Sequence, residues 1–226
     1  VGEVRVEGTY EIGMQDQAFL GLEAALGIPD PDGAGVELFV ATQWLHEDRK
    51  QLSACLGLAP ERVRLTLSGV GGAFGGREDL SLQVHTALLA LHTRRPVRMQ
   101  YTREESFFGH VHRHPATIWM RHHADRDGTL RRVEARMVLF NAITHAQGPY
   151  RCLNATVEGW AVRTNNPPCG AMRGFGVVQA CFAHESQMDR LAEACGLDPV
   201  EVRLRNAMVT GDRLITGQVV DSVAPV

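Results

Sequence analysis

The segment Gly69-Val-Gly-Gly-Ala-Phe-Gly-Gly-Arg-Glu78 is the part of this sequence that says most about its fold. A second glycine-rich segment, Ala171-Met-Arg-Gly-Phe-Gly176, follows much later in the chain. Each places a phenylalanine between glycines, with Arg77 or Arg173 close by. Glycine permits positive φ and lets main-chain N–H groups approach a ligand closely. Either segment alone is as well explained by a tight turn, but the pair predicts a large anionic cofactor held mainly by backbone.

Length and composition exclude several classes of protein. The chain has 226 residues, of which 44% are hydrophobic, so it can form one large domain or two lobes that share a cleft. A net charge of −3 argues against a nucleic-acid groove or a basic membrane-binding face. No apolar run is long enough to cross a bilayer. We therefore expect a cytoplasmic protein, and the start at Val1 suggests that residues 1–226 form one domain excised from a longer polypeptide.

Hydrophobic periodicity predicts strands and helices in mixed order. The strands are expected at residues 4–12, 36–40, 63–67, 96–101, 116–121 and 130–140. The helices are expected at residues 46–56, 78–91 and 177–194, with a short helix opened by Asp198 and Pro199. This order predicts an α+β fold, with mixed sheets packed with helices.

The first glycine segment does not match the common phosphate-binding motifs. A dinucleotide fingerprint would need glycine in place of Phe74, and a P-loop would need Gly-Lys-Ser/Thr where Gly76-Arg77-Glu78 stands. The predicted order of strand, glycine loop and helix still points orphan N–H groups at an anion. The five cysteines include no C-x-x-C pair, so neither a zinc ribbon nor an iron–sulfur cluster is predicted in this segment.

Taken together, these motifs resemble the molybdenum hydroxylases, the family of xanthine dehydrogenase and aldehyde oxidase. Gly71-Gly-Ala-Phe-Gly-Gly-Arg-Glu78 resembles the cofactor-binding loop, Thr42-Gln43 the dipeptide upstream of it, and Arg173-Gly-Phe-Gly176 the later loop. His114-Pro115, Gly148-Pro-Tyr150 and Val202-Arg-Leu-Arg-Asn206 follow in family order. The resemblance implies the first half of the molybdenum-cofactor-binding region.

The resemblance also implies roles for individual residues. The cofactor-binding set is Gln43, Gly72, Ala73, Phe74, Gly75 and Arg173. Gln43 is expected to donate a hydrogen bond to an oxo ligand, with Gln43 and Phe74 near molybdenum and no direct protein ligand. Ala171 and Phe175 are expected to wall a flat substrate slot. The general base of the family is a glutamate expected beyond Val226, so no catalytic residue is assigned in this segment, and the segment alone is expected to be inactive.

The substrate interpretation depends on Glu78 and Asn141. A glutamate at the position of Glu78 contacts the purine in xanthine dehydrogenases, although Glu78 and Asp79 would also suit a helix N-terminus. Asn141 stands where purine-oxidising members typically have arginine, and an amide cannot compensate negative charge as a guanidinium does. We expect hydroxylation of xanthine or hypoxanthine, with an aldehyde or another N-heterocycle as the alternative. Gly174 replaces the copper-bearing cysteine of carbon monoxide dehydrogenases, which disfavours that activity.

The implied cofactor is molybdenum-molybdopterin, expected in the cytosine dinucleotide form. [2Fe–2S] clusters and FAD are expected on other segments or subunits, with a dimer of the full complex, and neither nucleic acid nor membrane is expected as a partner. A non-catalytic structural or assembly domain is the alternative from a different class, although retention of Gln43 and the loop glycines favours cofactor binding. The histidines of His110-Val-His-Arg-His114 are expected to be solvent-facing or hydrogen-bonded rather than metal ligands.

Overall fold

The computed structural model describes residues 2–138 and 142–222, which divide into two compact units. The first unit contains the residues up to Met14, His114–Thr164 and the residues from Gly174 onwards, and the second contains Gln15–Arg113 and Asn165–Arg173. The strands are β1 Val4–Ile12, β2 Ala24–Pro29, β3 Val36–Val40, β4 Val63–Leu67, β5 Val97–Gln100, β6 Ala116–Ala124, β7 Leu130–Val138 and β8 Ala155–Trp160. The helices are α1 Leu45–Leu56, α2 Gln83–Thr93, α3 Arg103–Gly109, α4 Val177–Cys195 and α5 Pro199–Asn206, with single 3-10 turns at Pro60–Arg62 and Ile143–His145.

The first unit is a four-stranded sheet in the order β1-β6-β7-β8, covered by α4. β6 pairs antiparallel with β1 and β7, whereas β8 pairs parallel with β7. Alternate residues of β6 are buried, among them Ile118 and Met120, because side chains on a strand point to opposite faces of the sheet. The hydroxyl of Tyr10 on β1 donates to Gln187 of α4 over 2.5 Å, which satisfies two polar groups in this core.

The second unit is a four-stranded sheet in the order β4-β3-β2-β5, packed by α1 and α2. Leu38, Leu52 and Ala87 form part of its core and are fully buried. β3 and β4 are parallel, with Val40 opposite Leu67, whereas β2 is antiparallel to both of its neighbours. Because parallel strands end at the same edge of a sheet, the residues that follow β3 and β4 emerge side by side. This edge positions the candidate site.

The structure confirms the α+β class, since both sheets mix parallel and antiparallel pairs. The helix expected from residue 78 is wrong at its start, because α2 begins at Gln83 and residues 79–82 are not helical. The first glycine loop therefore does not run directly into a helix N-terminus, and Glu78 does not offset a helix dipole. β2, α3 and β8 were not predicted. No helix within residues 2–138 and 142–222 combines the length and apolar character needed to cross a membrane.

Candidate cofactor-binding site

The side chain of Gln43 holds the first glycine loop at the edge of the second unit's sheet. Its Oε1 accepts hydrogen bonds from the backbone N–H of Gly75, at 3.0 Å, and of Arg77, at 3.3 Å. Its own backbone N–H donates to the carbonyl of Arg77 over 2.9 Å, and the hydroxyl of Thr42 donates to the same carbonyl over 3.2 Å. Because the loop occupies the oxygen of the amide, the exposed end of Gln43 offers its NH2 group as a donor.

Phe74 and Gly75 adopt positive φ angles at the tip of this loop. Phe74 has φ 51° and a 47% exposed side chain, and Gly75 has φ 97°. A Cβ placed on Gly75 would lie 2.7 Å from the carbonyl oxygen of Ala171, so only glycine fits there. A large apolar residue held exposed in the left-handed region costs roughly 1–3 kcal/mol, a strain that clusters at ligand sites. The loop therefore presents Phe74 in a fixed position.

Arg77 stabilises the loop from its buried side rather than facing a ligand. Its side chain is buried; Nε donates to the carbonyl of Gly72 over 2.9 Å, and Nη2 donates to the carbonyl of Gly21. The guanidinium lies 4.3 Å from the centroid of the Phe19 ring, a cation–π contact. Burial lowers the pKa of Arg77 below its usual value. A planar guanidinium can join both carbonyls at once, which a lysine cannot do.

The segment that ends at Arg173 lies directly against the loop. The backbone N–H of Arg173 donates to the carbonyl of Phe74 over 2.8 Å, and its carbonyl accepts from Arg113 over 2.9 Å. The carbonyl of Ala171 accepts from the side-chain amide of Gln17 over 2.7 Å. The structure thus brings Ala171 and Arg173 together with Gln43 and residues 72–75. Sequence reasoning missed Gln17, whose only signal is a polar pair, Asp16-Gln17, before an apolar stretch.

Glu78 carries a buried carboxyl group at the end of the same loop. The residue is 8% exposed, and its backbone N–H donates to the carbonyl of Gly75 over 3.3 Å. Burial, followed by the negative charge of Asp79, raises the pKa of Glu78 above its usual value. A carboxyl group with a raised pKa holds a proton more readily, so it can donate as well as accept a hydrogen bond.

Phe175 has a similar backbone conformation in the first unit. It has φ 45° and is 50% exposed, between Gly174 at φ 95° and Gly176 at φ 94°. Gly176 is the residue from which α4 begins. Both phenylalanines singled out in the sequence are therefore exposed in a conformation that such residues rarely adopt. Asn141 lies outside the described residues.

His110 and His112 are buried, at 6% exposure each, so of the two expected alternatives, solvent-facing or hydrogen-bonded, this pair takes the second. The expectation of hydrogen bonding holds, since Nε2 of His112 lies 2.9 Å from the carbonyl of Phe107. The sequence offered no carboxylate at a metal-ligand spacing, yet the fold places Asp16 against both rings. Tertiary contacts across so long a sequence separation leave no local pattern.

The residues of the second unit fit an anionic pterin cofactor. Phe74 is exposed at positive φ at the tip of the loop, the exposed side chain of Gln43 has its NH2 group as a donor, and the exposed Arg173 supplies positive charge. An amide donor and a guanidinium beside an aromatic ring suit a polar ring system with negative charge.

Comparison with known proteins identifies the family. The model of the molybdopterin cofactor-binding domain matches residues 2–207. The chain therefore belongs to the molybdopterin cofactor-binding domain family of the molybdenum hydroxylases. Two curated relatives are the nicotinate dehydrogenase large molybdopterin subunit of Eubacterium barkeri, 39% identical over 97% of this chain, and a subunit of a probable xanthine dehydrogenase of Bacillus subtilis, 37% identical over 88%.

This chain spans only 55% and 28% of the length of those two relatives. Among solved structures, quinoline 2-oxidoreductase from Pseudomonas putida 86 superposes with a TM-score of 0.90 at 25% identity, covering 97% of this chain and 30% of that one. Aldehyde oxidoreductase from Desulfovibrio gigas gives a TM-score of 0.88 at 29% identity, covering 96% and 25%.

Proposed function

We propose that this chain supplies part of the molybdenum-cofactor pocket and of the substrate pocket of an enzyme that hydroxylates an N-heterocycle, with a purine such as xanthine or hypoxanthine as the preferred substrate. The family match supports the cofactor. The relatives named for nicotinate, xanthine and quinoline support an electron-poor nitrogen heterocycle as the substrate class.

The residues of this chain would hold and orient the cofactor. The NH2 group of Gln43 would donate a hydrogen bond to the cofactor, the ring of Phe74 would pack beside it, and Arg173 would offset the charge of the pterin. When bound, the cofactor supplies the redox chemistry that hydroxylates an electron-poor carbon. Hydrogen bonds from the Arg77 side chain and to the side-chain oxygen of Gln43 hold the loop rigid. These donors therefore stay in place as charge develops in the transition state.

The buried carboxyl of Glu78 is the observation that carries the choice of an N-heterocycle. Its raised pKa suits a carboxyl that donates to a ring nitrogen or accepts from a ring N–H. An aldehyde offers only one carbonyl oxygen and would use such a group less. Phe175 and Ala171 would wall the flat slot that a planar ring enters.

An aldehyde is the second candidate substrate, and Asn141 together with the aldehyde oxidoreductase likeness favours it. An asparagine gives no positive charge to stabilise a purine oxyanion. A purely structural role is disfavoured because the chain retains Gln43 and the strained Phe74-Gly75 tip.

The rest of the enzyme would come from outside this chain. The proposal includes a general base beyond Val226, a cytosine dinucleotide form of the pterin, and electron transfer through [2Fe–2S] clusters and FAD on other segments or subunits. A dimer of the complete complex is part of the same proposal.

Glu78→Ala in the full-length complex tests the substrate assignment, with the exposed Glu61→Ala as the matched control. Loss of a hydrogen bond between buried groups costs about 1.5–3 kcal/mol, so kcat/KM for xanthine or hypoxanthine should fall roughly 10- to 100-fold. The value for an aromatic aldehyde should change little, and Glu61→Ala should change neither. An unchanged kcat/KM for purines and for nicotinate in Glu78→Ala would contradict the role of Glu78.

A further inference from the structure

Asp16, His110 and His112 form a compact cluster of ligand atoms inside the second unit. Oδ2 of Asp16 lies 3.2 Å from Nε2 of His110 and 3.0 Å from Nε2 of His112. The three ligand atoms lie within 4.8 Å of one another. In a tetrahedral zinc site with bonds of about 2.0–2.1 Å, neighbouring ligand atoms are separated by roughly 3.3 Å. The observed spacing is close to that value.

Gln17 brings a fourth oxygen to the cluster. Its Oε1 lies 3.2 Å from Nε2 of His110. The orientation of this amide is fixed, because its Nε2 donates to the carbonyl of Ala171 over 2.7 Å. The oxygen of Gln17 therefore faces the same Nε2 atom as the carboxylate of Asp16. Two imidazoles, one carboxylate and one amide oxygen make a closed donor set of four.

Glu23 contacts the second ring nitrogen, Nδ1, of the His110 imidazole. Its Oε1 lies 2.8 Å from Nδ1 of His110, and its side chain is only 3% exposed. A histidine that binds a metal through one ring nitrogen usually donates the other N–H to a carboxylate, which fixes the ring and its tautomer. Oε1 of Glu23 faces Nδ1 of His110 at hydrogen-bond distance, so it can accept this bond.

The alternative is a cluster without a metal ion, in which hydrogen bonds alone join the same side chains. His110 would have to donate through Nδ1 to Glu23 and through Nε2 to Asp16 or Gln17, which requires a buried imidazolium. The ring of His112 stacks on His110 with centroids 5.1 Å apart and would also direct a proton at Asp16. A shared cation replaces the protons on Nε2 of both rings, including the proton that His112 directs at the carbonyl of Phe107 over 2.9 Å, and that carbonyl oxygen then faces the ion. Nδ1–H of His110 stays on Glu23, so no second buried charge is needed on the rings.

We propose that Asp16, Gln17, His110 and His112 bind a divalent zinc-class ion in a closed, structural site. The soft-to-borderline imidazoles favour zinc over calcium or magnesium, which prefer oxygen ligands alone. The ion joins the segment before β2 to the residues after α3. Through Gln17 and the carbonyl of Ala171 it also helps to fix the segment that lies against Phe74. This site is separate from the molybdenum cofactor and does not depend on the proposed substrate.

Metal analysis of the full-length complex tests this site. The purified complex is incubated with zinc chloride, passed through a desalting column with a mild chelator, and measured by mass spectrometry for zinc, molybdenum and iron. We expect about one more zinc per large subunit in wild type than in His112→Gln or Asp16→Asn, with molybdenum and iron measured in the same sample. His92→Gln, which changes an exposed histidine of α2, is the control and should keep the zinc.

The X-ray absorption edge of zinc supplies a second readout that does not depend on variants. Scattering from nitrogen and oxygen alone at about 2.0–2.1 Å, with no sulfur, supports the site. Wild-type complex that holds no more zinc than Asp16→Asn overturns it, as does a zinc site dominated by sulfur. Asp16→Asn keeps the shape of the side chain, so it serves if His112→Gln fails to fold.

Discussion

The side-chain oxygen of Gln43 accepts the backbone N–H of Gly75 over 3.0 Å, so one amide both supports the glycine loop and presents its NH2 group beyond it. Both functions come from one residue placed just after β3. The parallel pairing of β3 with β4 brings this residue and the loop to the same sheet edge. The fold thereby fixes the position of the donor that we propose for the cofactor.

Gln43→Glu separates the two functions of this side chain. A carboxylate oxygen can still accept from Gly75 and Arg77, but the variant has no NH2 group to donate. Removing one preorganised donor lowers kcat by about 100-fold or more, and we expect that loss with molybdenum content near the wild-type value. Steady-state kinetics and metal analysis of the same preparation measure both. Gln100→Glu, on an exposed edge strand, is the control, and wild-type kcat in Gln43→Glu would refute the donor role.

Gly75→Ala should disrupt the loop itself. Its Cβ would lie 2.7 Å from the carbonyl oxygen of Ala171 at φ 97°, so the backbone has to move as well as adopt a strained angle. Gly57→Ala is a matched control, since φ is also positive, 64°, with no atom within 4 Å of the added carbon. We expect a cost of about 1 kcal/mol for the control and clearly more for Gly75→Ala. Calorimetry and molybdenum content of the full-length complex should rank the two variants in that order; equal effects would contradict the packing argument.

Arg77→Lys should destabilise the loop although it keeps the charge. A single ammonium group cannot replace the fork that joins the carbonyls of Gly72 and Gly21, and a buried carbonyl left unpaired costs about 1–3 kcal/mol. Arg64→Lys is the control, because that side chain is 73% exposed in its pair with Glu37 and should change stability by less than about 0.5 kcal/mol. Thermal unfolding measures the difference. Equal melting temperatures for the two variants would show that the Arg77 contacts contribute little.

His122 should make the protein sensitive to acid. Complete burial, then the neighbouring His184 and His123, lowers the pKa of His122 to about 3. An unfolded chain has a histidine pKa of about 6.5, so it binds more protons than the folded protein between these values, and stability falls as the pH falls through this window. From pH 6.5 to 5 this amounts to about 1.6 kcal/mol.

Replacing this ring by an apolar side chain tests that account. His122→Leu should show a smaller loss of stability between pH 7 and pH 5 than wild type, measured as the difference between two calorimetric melting temperatures. His92→Leu, at an exposed position, should keep the wild-type difference. An unchanged difference in His122→Leu would assign the acid sensitivity to other groups.

Alternating apolar residues predicted β1 with its observed bounds, because a half-buried strand needs that alternation, and the apolar segment Val36–Val40 predicted β3. β2 was not predicted, because its sequence Ala-Ala-Leu-Gly-Ile-Pro shows no alternation of apolar and polar residues and ends in proline. In the structure it pairs with a strand on each side. α3 had a usable signal, since Thr102 and Glu105 form a capping box at its start. The early start assigned to α2 came from apolar spacing alone, without a capping residue.

The residues of the candidate site also divide into those that a local sequence pattern predicted and those that no local pattern could predict. Residues 72–75 and Gln43 were found because glycine-rich loops and a dipeptide after a strand are local patterns. Gln17, Glu23 and Asp16 were not found, because their contacts reach residues far along the chain. Polar side chains in tertiary contact leave no trace in periodicity, so only the folded structure identifies them.

Anaerobic reduction of the complete, molybdenum-replete complex tests the central claim most directly. Xanthine, hypoxanthine, nicotinate and an aromatic aldehyde are added separately, and the iron–sulfur and flavin absorbance is followed without oxygen. We predict rapid bleaching by an N-heterocycle, a purine foremost, and little by the aldehyde. Bleaching by the aldehyde alone, or by none of the four, would contradict the proposal that this chain forms the pocket of a heterocycle hydroxylase.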